Sequence, residues 1–415
     1  MRFSDNMIID LLVTAIQIQI TQDQQSKIWA FIDPSTEYRL PKTINFGDET
    51  FNIAIIDSFD QHRPQLMNYR SADDRWVGII PSIILDSNAA YYLHQYVCEP
   101  EKLSPGQTKA VRELIRYLAT TNYDYNPFFY YLETFSKDNS GLANSKIVRM
   151  TESIIKLQSM DQPLFLKTGE IKPDKGLFKK YVEKFQTDLY SEMAVRQVAW
   201  MQAKNPFAFA ELENLYSVVY ISLLKMALLR RQSQKGIKHK HIQLRNYMVE
   251  TLGVVLGREL YIALLYFASL IDTFIPFQKG SDFEQVRSRI RAAAWDALMM
   301  RLPEFYLPEG GPEPVTLAYI CTADKTLQKI AKGTRIQAVL SLMPRPHSPR
   351  SLLKFDYGEL VERVGKETLE ALLIENDDWQ ADRWAFTQSK RATAKEDGLP
   401  QIIQGLEEEM RSFCK

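Results

Sequence analysis

Ile83-Ile84-Leu85-Asp86-Ser87-Asn88 is a continuous apolar run that stops at an acid followed by two small polar residues. Such a run is expected of a strand buried on both faces, as in a parallel sheet. A helical pattern, Ala89 to Val97, follows at once. The same grammar returns late in the chain, where Val315-Thr316-Leu317-Ala318-Tyr319-Ile320 leads through Cys321-Thr322-Ala323-Asp324 into another helix. Strands alternating with helices indicate an α/β domain, and in open α/β sheets the strand carboxyl ends line the ligand crevice. An Asp at such a junction is equally an ordinary helix cap, stabilising by about 1 kcal/mol.

Two more acids stand in apolar settings. Glu133 follows Phe128-Phe129-Tyr130-Tyr131-Leu132 on a helix opened by Asn126-Pro127, and Asp296 lies in Ala292-Ala293-Ala294-Trp295-Asp296-Ala297-Leu298. The competing reading puts each on a solvent-facing stripe, and Asp272 is a rival lone acid. Burying a carboxylate is costly unless a cation compensates it. Four brought together repel one another and hold protons unless divalent metal neutralises them.

In order and local context these residues resemble the PIN-domain nuclease superfamily. Asp86-Ser87-Asn88 matches its opening Asp-x-Asn, Glu133 its early helical acid, Asp296 its later one, and Thr322-Ala323-Asp324 its closing Thr-x-Asp. The resemblance implies a PIN-like parallel sheet flanked by helices, formed by residues 80–137 and 285–342. It also implies a metal-dependent nuclease, chiefly an endoribonuclease, with RNA ahead of single-stranded DNA as substrate. Asp86, Glu133, Asp296 and Asp324 would hold Mg²⁺ or Mn²⁺, hard cations that take oxygen ligands. Asp86 and Asp324 would be the main direct ligands, and Asn88 and Thr322 would orient substrate or water.

Around that domain, residues 1–79 read as a small strand-rich unit, with Lys27–Ile32 and Phe51–Ile56 separated by turn residues. Residues 138–284 read as a large all-α insertion that a minimal PIN domain lacks. Residues 343–415 read as a charged, partly helical tail. The insertion carries a basic cluster, Arg230, Arg231, Lys235, Lys238, Lys240 and Arg245, a candidate phosphate-binding stripe or else a solvated helix end. The alternative to catalysis is an inactive PIN-like protein that binds nucleic acid or assembles, with itself or a protein partner, through this insertion.

With 51 basic and 51 acidic residues the net charge is zero, so any nucleic-acid surface must be local. The 3 cysteines have no metal-ligand or redox spacing and suit a reducing cytoplasm. The N-terminal stretch is polar and then broken by Asp10, unlike a secretory signal. Leu260–Phe277 reaches the minimum length of a membrane span but contains Asp272, so it is expected as a core helix and no membrane partner is expected.

Overall fold

In a computed structural model of the chain, the described residues are 26–34, 40–67, 78–137, 145–204, 206–278, 280–307, 315–342, 345–372 and 398–414. The chain divides into two compact units. The first comprises residues 1–209, 301–332 and 336–352; the second comprises 210–300, 333–335 and 353–415.

The first unit is mixed α/β. Its larger sheet holds five strands, β2 (Ile44–Gly47), β3 (Asn52–Ile56), β5 (Ile79–Leu85), β6 (Asp124–Asn126) and β7 (Val315–Thr322), in the order β2-β3-β7-β5-β6. The apolar run before Asp86 is indeed a strand buried on both faces: Ile83, Ile84 and Leu85 are fully buried. β5 pairs in parallel with β7, Leu85 opposite Cys321, and in parallel with β6, Ile84 opposite Asn126. A smaller sheet has the order β4-β1-β8-β9, from β1 (Ser26–Pro34), β4 (His62–Met67), β8 (Thr334–Leu342) and β9 (Arg345–Phe355). There β1 pairs antiparallel with both β4 and β8.

Two expectations are corrected here. The main sheet is mixed rather than PIN-like and parallel, because the β2–β3 hairpin adds to it antiparallel, Ile55 opposite Cys321. Nor do residues 1–79 form a separate unit: that hairpin covers the β7 edge, and β1 shares a sheet with β8. The reason is edge satisfaction, since an apolar strand such as β7 needs a backbone partner on each side. The proline- and glycine-rich loop before β7 and the acidic stretch Glu375–Asp378 lie outside the described residues.

Helices position the ends of this sheet. α1 (Ser87–Cys98) follows β5. α2 (Pro105–Thr121) has a full capping box between Ser104 and Gln107 and Pro105 in its first turn. Its apolar face, Ala110, Val111, Leu114 and Leu118, is buried, and the helix packs on β2 and β3. α3 (Phe128–Lys137) packs on β5 and α1. Then come α4 (Ser145–Gln158), α5 (Gln162–Thr168), α6 (Lys175–Phe185) and α7 (Tyr190–Lys204).

The second unit is helical. α8 (Pro206–Gln232) buries nearly every side chain from Val219 to Leu229, and α9 (Ile237–Tyr247) packs on α10 (Gly257–Phe267). α10 is the core helix expected in Leu260–Phe277, but it ends at Phe267, and Asp272 beyond it is exposed and paired with Arg230 at 2.7 Å. Among the described residues the stretch Leu212–Gln232 is long and apolar enough to cross a membrane, and 56% of it is buried within the fold. In α11 (Phe283–Met299), Trp295 stacks on Tyr216 at 4.8 Å. The C-terminal helix, Leu399–Arg411, is held by Glu407, which accepts from Tyr220 at 2.7 Å and Arg291 at 3.1 Å.

Gly47 is where the hairpin and α2 meet most closely. It has φ +101°, and a Cβ there would lie 2.4 Å from the Phe51 carbonyl oxygen and 2.8 Å from the Ala110 Cβ. Gly47→Ala is therefore expected to destabilise the chain by about 1–3 kcal/mol, seen as a lower urea midpoint. A midpoint unchanged from the parent would contradict this packing.

Candidate active site

The parallel β5–β7 pair ends with two acids at adjacent strand ends. Asp86 is the first residue after β5, and its backbone N–H donates to Cys321 at 3.0 Å, continuing the ladder. Its side chain caps α1 by accepting from the Ala89 N–H. The other carboxylate oxygen accepts from the Thr322 hydroxyl. Thr322, the last residue of β7, in turn accepts from the Asp324 N–H at 3.0 Å. The Asp324 carboxylate caps α12 (Lys325–Lys332), accepting from the Leu327 N–H at 2.8 Å. Thr322 thus ties one acid to the backbone of the other.

Asp86 is only 3% exposed and Glu133 6%, whereas Asp324 is half-buried. The Asp86 carboxyl is pushed up to about 7, chiefly by loss of water around it. The Thr322 and Ala89 hydrogen bonds oppose that rise, and the charges of Glu133 and Asp324 add to it. Glu133, carried by α3 against β5, and Asp324, just beyond β7, therefore both act on Asp86. Cys321, buried beside this acid, has its thiol pushed well up by burial and is a packing residue.

The structure thus brings Asp86, Glu133, Asp324 and Thr322 to one end of the sheet. Asp296 belongs to the second unit, half-buried on α11 among buried Ala293, Ala297 and Met300. Asn88 is exposed on the first turn of α1. Among the described residues, no three histidine, cysteine, aspartate or glutamate side chains converge closely enough to hold a metal as they stand. Sequence reasoning treated Thr322 as a neighbour of Asp324. Its bond to Asp86 depends on the β5–β7 pairing, which only the fold provides.

The expected basic stripe is divided by the fold. Arg230 pairs with Asp272 and bonds Ser269 at 2.9 Å, and Arg231 donates to the Phe277 carbonyl at 2.8 Å. Arg245 is buried. Lys235 and Lys238 are exposed, and Lys240 is half-buried with its ammonium shifted down, first by burial and then by Arg230. His241 lies in the core, held neutral by burial and the neighbouring Arg245, its pKa brought down to about 4.

No family model, curated protein or solved structure matches this chain.

Because Asp86 titrates higher when folded, stability must fall as pH rises. Between its ordinary value of 3.8 and about 7 the folded chain keeps a proton that the unfolded chain has lost. That loss develops across this window and is complete above it. Asp86→Asn keeps the acceptor for Ala89 without the charge, so it is expected to flatten this part of the stability–pH curve. It should also gain on the order of 2–4 kcal/mol at pH 8. Urea unfolding of parent and variant at pH 4, 6 and 8 checks this; parallel curves would contradict a charged, buried Asp86.

Proposed function

We propose that this chain is a metal-dependent nuclease cutting phosphodiester bonds, with single-stranded RNA as its leading substrate and the cytoplasm as its setting. The observation that carries the reading is the meeting of Asp86, Glu133 and Asp324 at the carboxyl ends of the parallel strands β5 and β7. Ligands bind at such strand ends in open α/β sheets. The order of acids along the chain, resembling that of PIN-domain nucleases, supports the same reading.

The donor set suits a hard divalent cation. Asp86, Glu133 and Asp324 offer only carboxylate oxygens, the ligands that hard divalent cations prefer. These three would hold Mg²⁺ or Mn²⁺, with a change of rotamer drawing the carboxylates together. The chemistry a bound divalent ion supplies is activation of water and stabilisation of the leaving oxygen. The chain's own groups do the rest. Thr322 fixes the Asp86 carboxylate through one oxygen, and the Ala89 N–H holds the other. The buried wall of β5 and β7 keeps bulk water from the rear of the site. Asp296, the fourth acid of the resemblance, belongs to the second unit, so the reading rests on the other three.

A second reading has its own support. Asp86 and Asp324 both serve as helix caps, and among the described residues no ready-made metal cluster exists. Both facts suit an inactive PIN-like protein that binds nucleic acid or assembles through its helices.

Cleavage of labelled single-stranded RNA separates the two. The parent should cut with Mn²⁺ and stop with EDTA. Asp86→Asn and Glu133→Gln should lose on the order of 100-fold or more, and Thr322→Val, which releases the carboxylate it orients, about 10–100-fold. Equal cutting by Asp86→Asn and the parent would place the activity elsewhere, and no cutting by a folded parent would favour the second reading.

A further inference from the structure

The first unit contains a cavity of about 340 Å³ that the reading above does not use. Its lining includes Asn126, the last residue of β6, which lies opposite Ile84, two residues before Asp86. At about 3.3 Å per residue along a strand, this places the Asn126 wall roughly one nucleotide from the strand end that carries Asp86. α3 carries residues of both places: Phe128 and Tyr131 line the cavity, and Glu133, two residues past Tyr131, turns to another face of the helix. The far walls come from α4, α6 and α7, the first helices of the sequence expected as an insertion.

The lining combines rings and amides. Phe128, Tyr131, Tyr181 and Tyr306 supply aromatic surface, and Asn126, Gln158 and Gln197 supply amides. Most of these groups hold one another in place. Tyr181 donates to the Gln158 carbonyl at 3.2 Å, and Gln158 donates to the Tyr125 carbonyl at 3.1 Å. Asn126 donates to the Tyr306 hydroxyl at 3.4 Å. An amide nitrogen carries two N–H donors, so Asn126 and Gln158 each keep one for a ligand. Lys184, an exposed lining residue, donates to the Gln197 side-chain carbonyl at 3.4 Å and adds a positive charge to the lining.

Rings for stacking, fixed amides for a planar hydrogen-bonding edge and a cation for phosphate match a single-stranded nucleotide. We infer that this cavity is a base-recognition subsite, taking one unstacked nucleobase next to the phosphodiester that the acids face. The inference rests on the nuclease reading for its substrate, but its test does not. It also gives the helical segment 145–204 a role, that of completing the wall which selects the base.

The experiment is fluorescence anisotropy with four fluorescein-labelled RNA octamers, all-A, all-C, all-G and all-U, on the full chain in EDTA. One octamer should bind about tenfold more tightly than the weakest, the scale of one stacked base. Tyr181→Ala, which also loses packing on Phe185 and so is compared below its own lowered thermal midpoint, should lower that affinity by a similar factor. Gln197→Leu should narrow the preference with an unchanged midpoint. Equal binding of all four, binding of none, or a preference unaltered in both variants would overturn the subsite. So would uptake of an uncharged apolar dye that no octamer displaces. A preference that survives in a chain unable to cut RNA with Mn²⁺ supports the subsite and refutes the nuclease. Cutting without any base preference does the reverse.

Discussion

The Thr322 hydroxyl joins the ends of two parallel strands, and the geometry of the site follows from it. It donates to Asp86, at the end of β5, and accepts from the Asp324 N–H, just beyond β7. A carboxylate as buried as Asp86 needs such donors, because an unsatisfied buried acid is costly. The bond is available only because β5 and β7 are paired in register, Leu85 opposite Cys321. Removing either strand from the sheet would leave both acids as simple helix caps. The antiparallel β2–β3 hairpin secures β7 from its other side. Residues far from any chemistry, Gly47 and Ala110 among them, thus bear on where Asp324 stands.

The electrostatics of this end of the sheet are unbalanced in a useful way. Burial raises the titration of Asp86, and the charges of Glu133 and Asp324 add to that rise. Arg230 and Arg231, which the sequence offered as phosphate ligands, are instead engaged within the second unit. A zero net charge therefore hides an acidic strand end in one unit and, in the other, a basic cluster divided among paired, buried and exposed side chains.

Much of this was legible in the residues. The apolar runs before Asp86 and Asp324 became buried parallel strands because a strand covered on both faces must be apolar throughout. The Ser104-Pro105 and Asn126-Pro127 starts marked α2 and α3 within a residue or so, since capping is local chemistry. The role of the N-terminal strands was not legible, because pairing between β3 and β7 spans more than 260 residues of separation and no local signal encodes it. Asp296 shared the apolar-helix pattern of Glu133, yet the fold assigns it to the other unit. Periodicity places a side chain on a helix face but does not say which neighbour that face meets. The cavity beside β6 was unreadable for a similar reason, as its walls come from five separate elements. The run Phe128–Tyr131 looked like core packing, and Phe129 and Tyr130 are indeed buried there.

The most direct test is calorimetric titration of Mn²⁺ into the full chain and into Asp86→Asn at neutral pH, without nucleic acid. A metal-holding acid cluster requires the parent to take up one or two ions and the folded variant to lose that uptake. A folded parent that takes up none at millimolar Mn²⁺, or a variant that binds as well as the parent, would contradict the account.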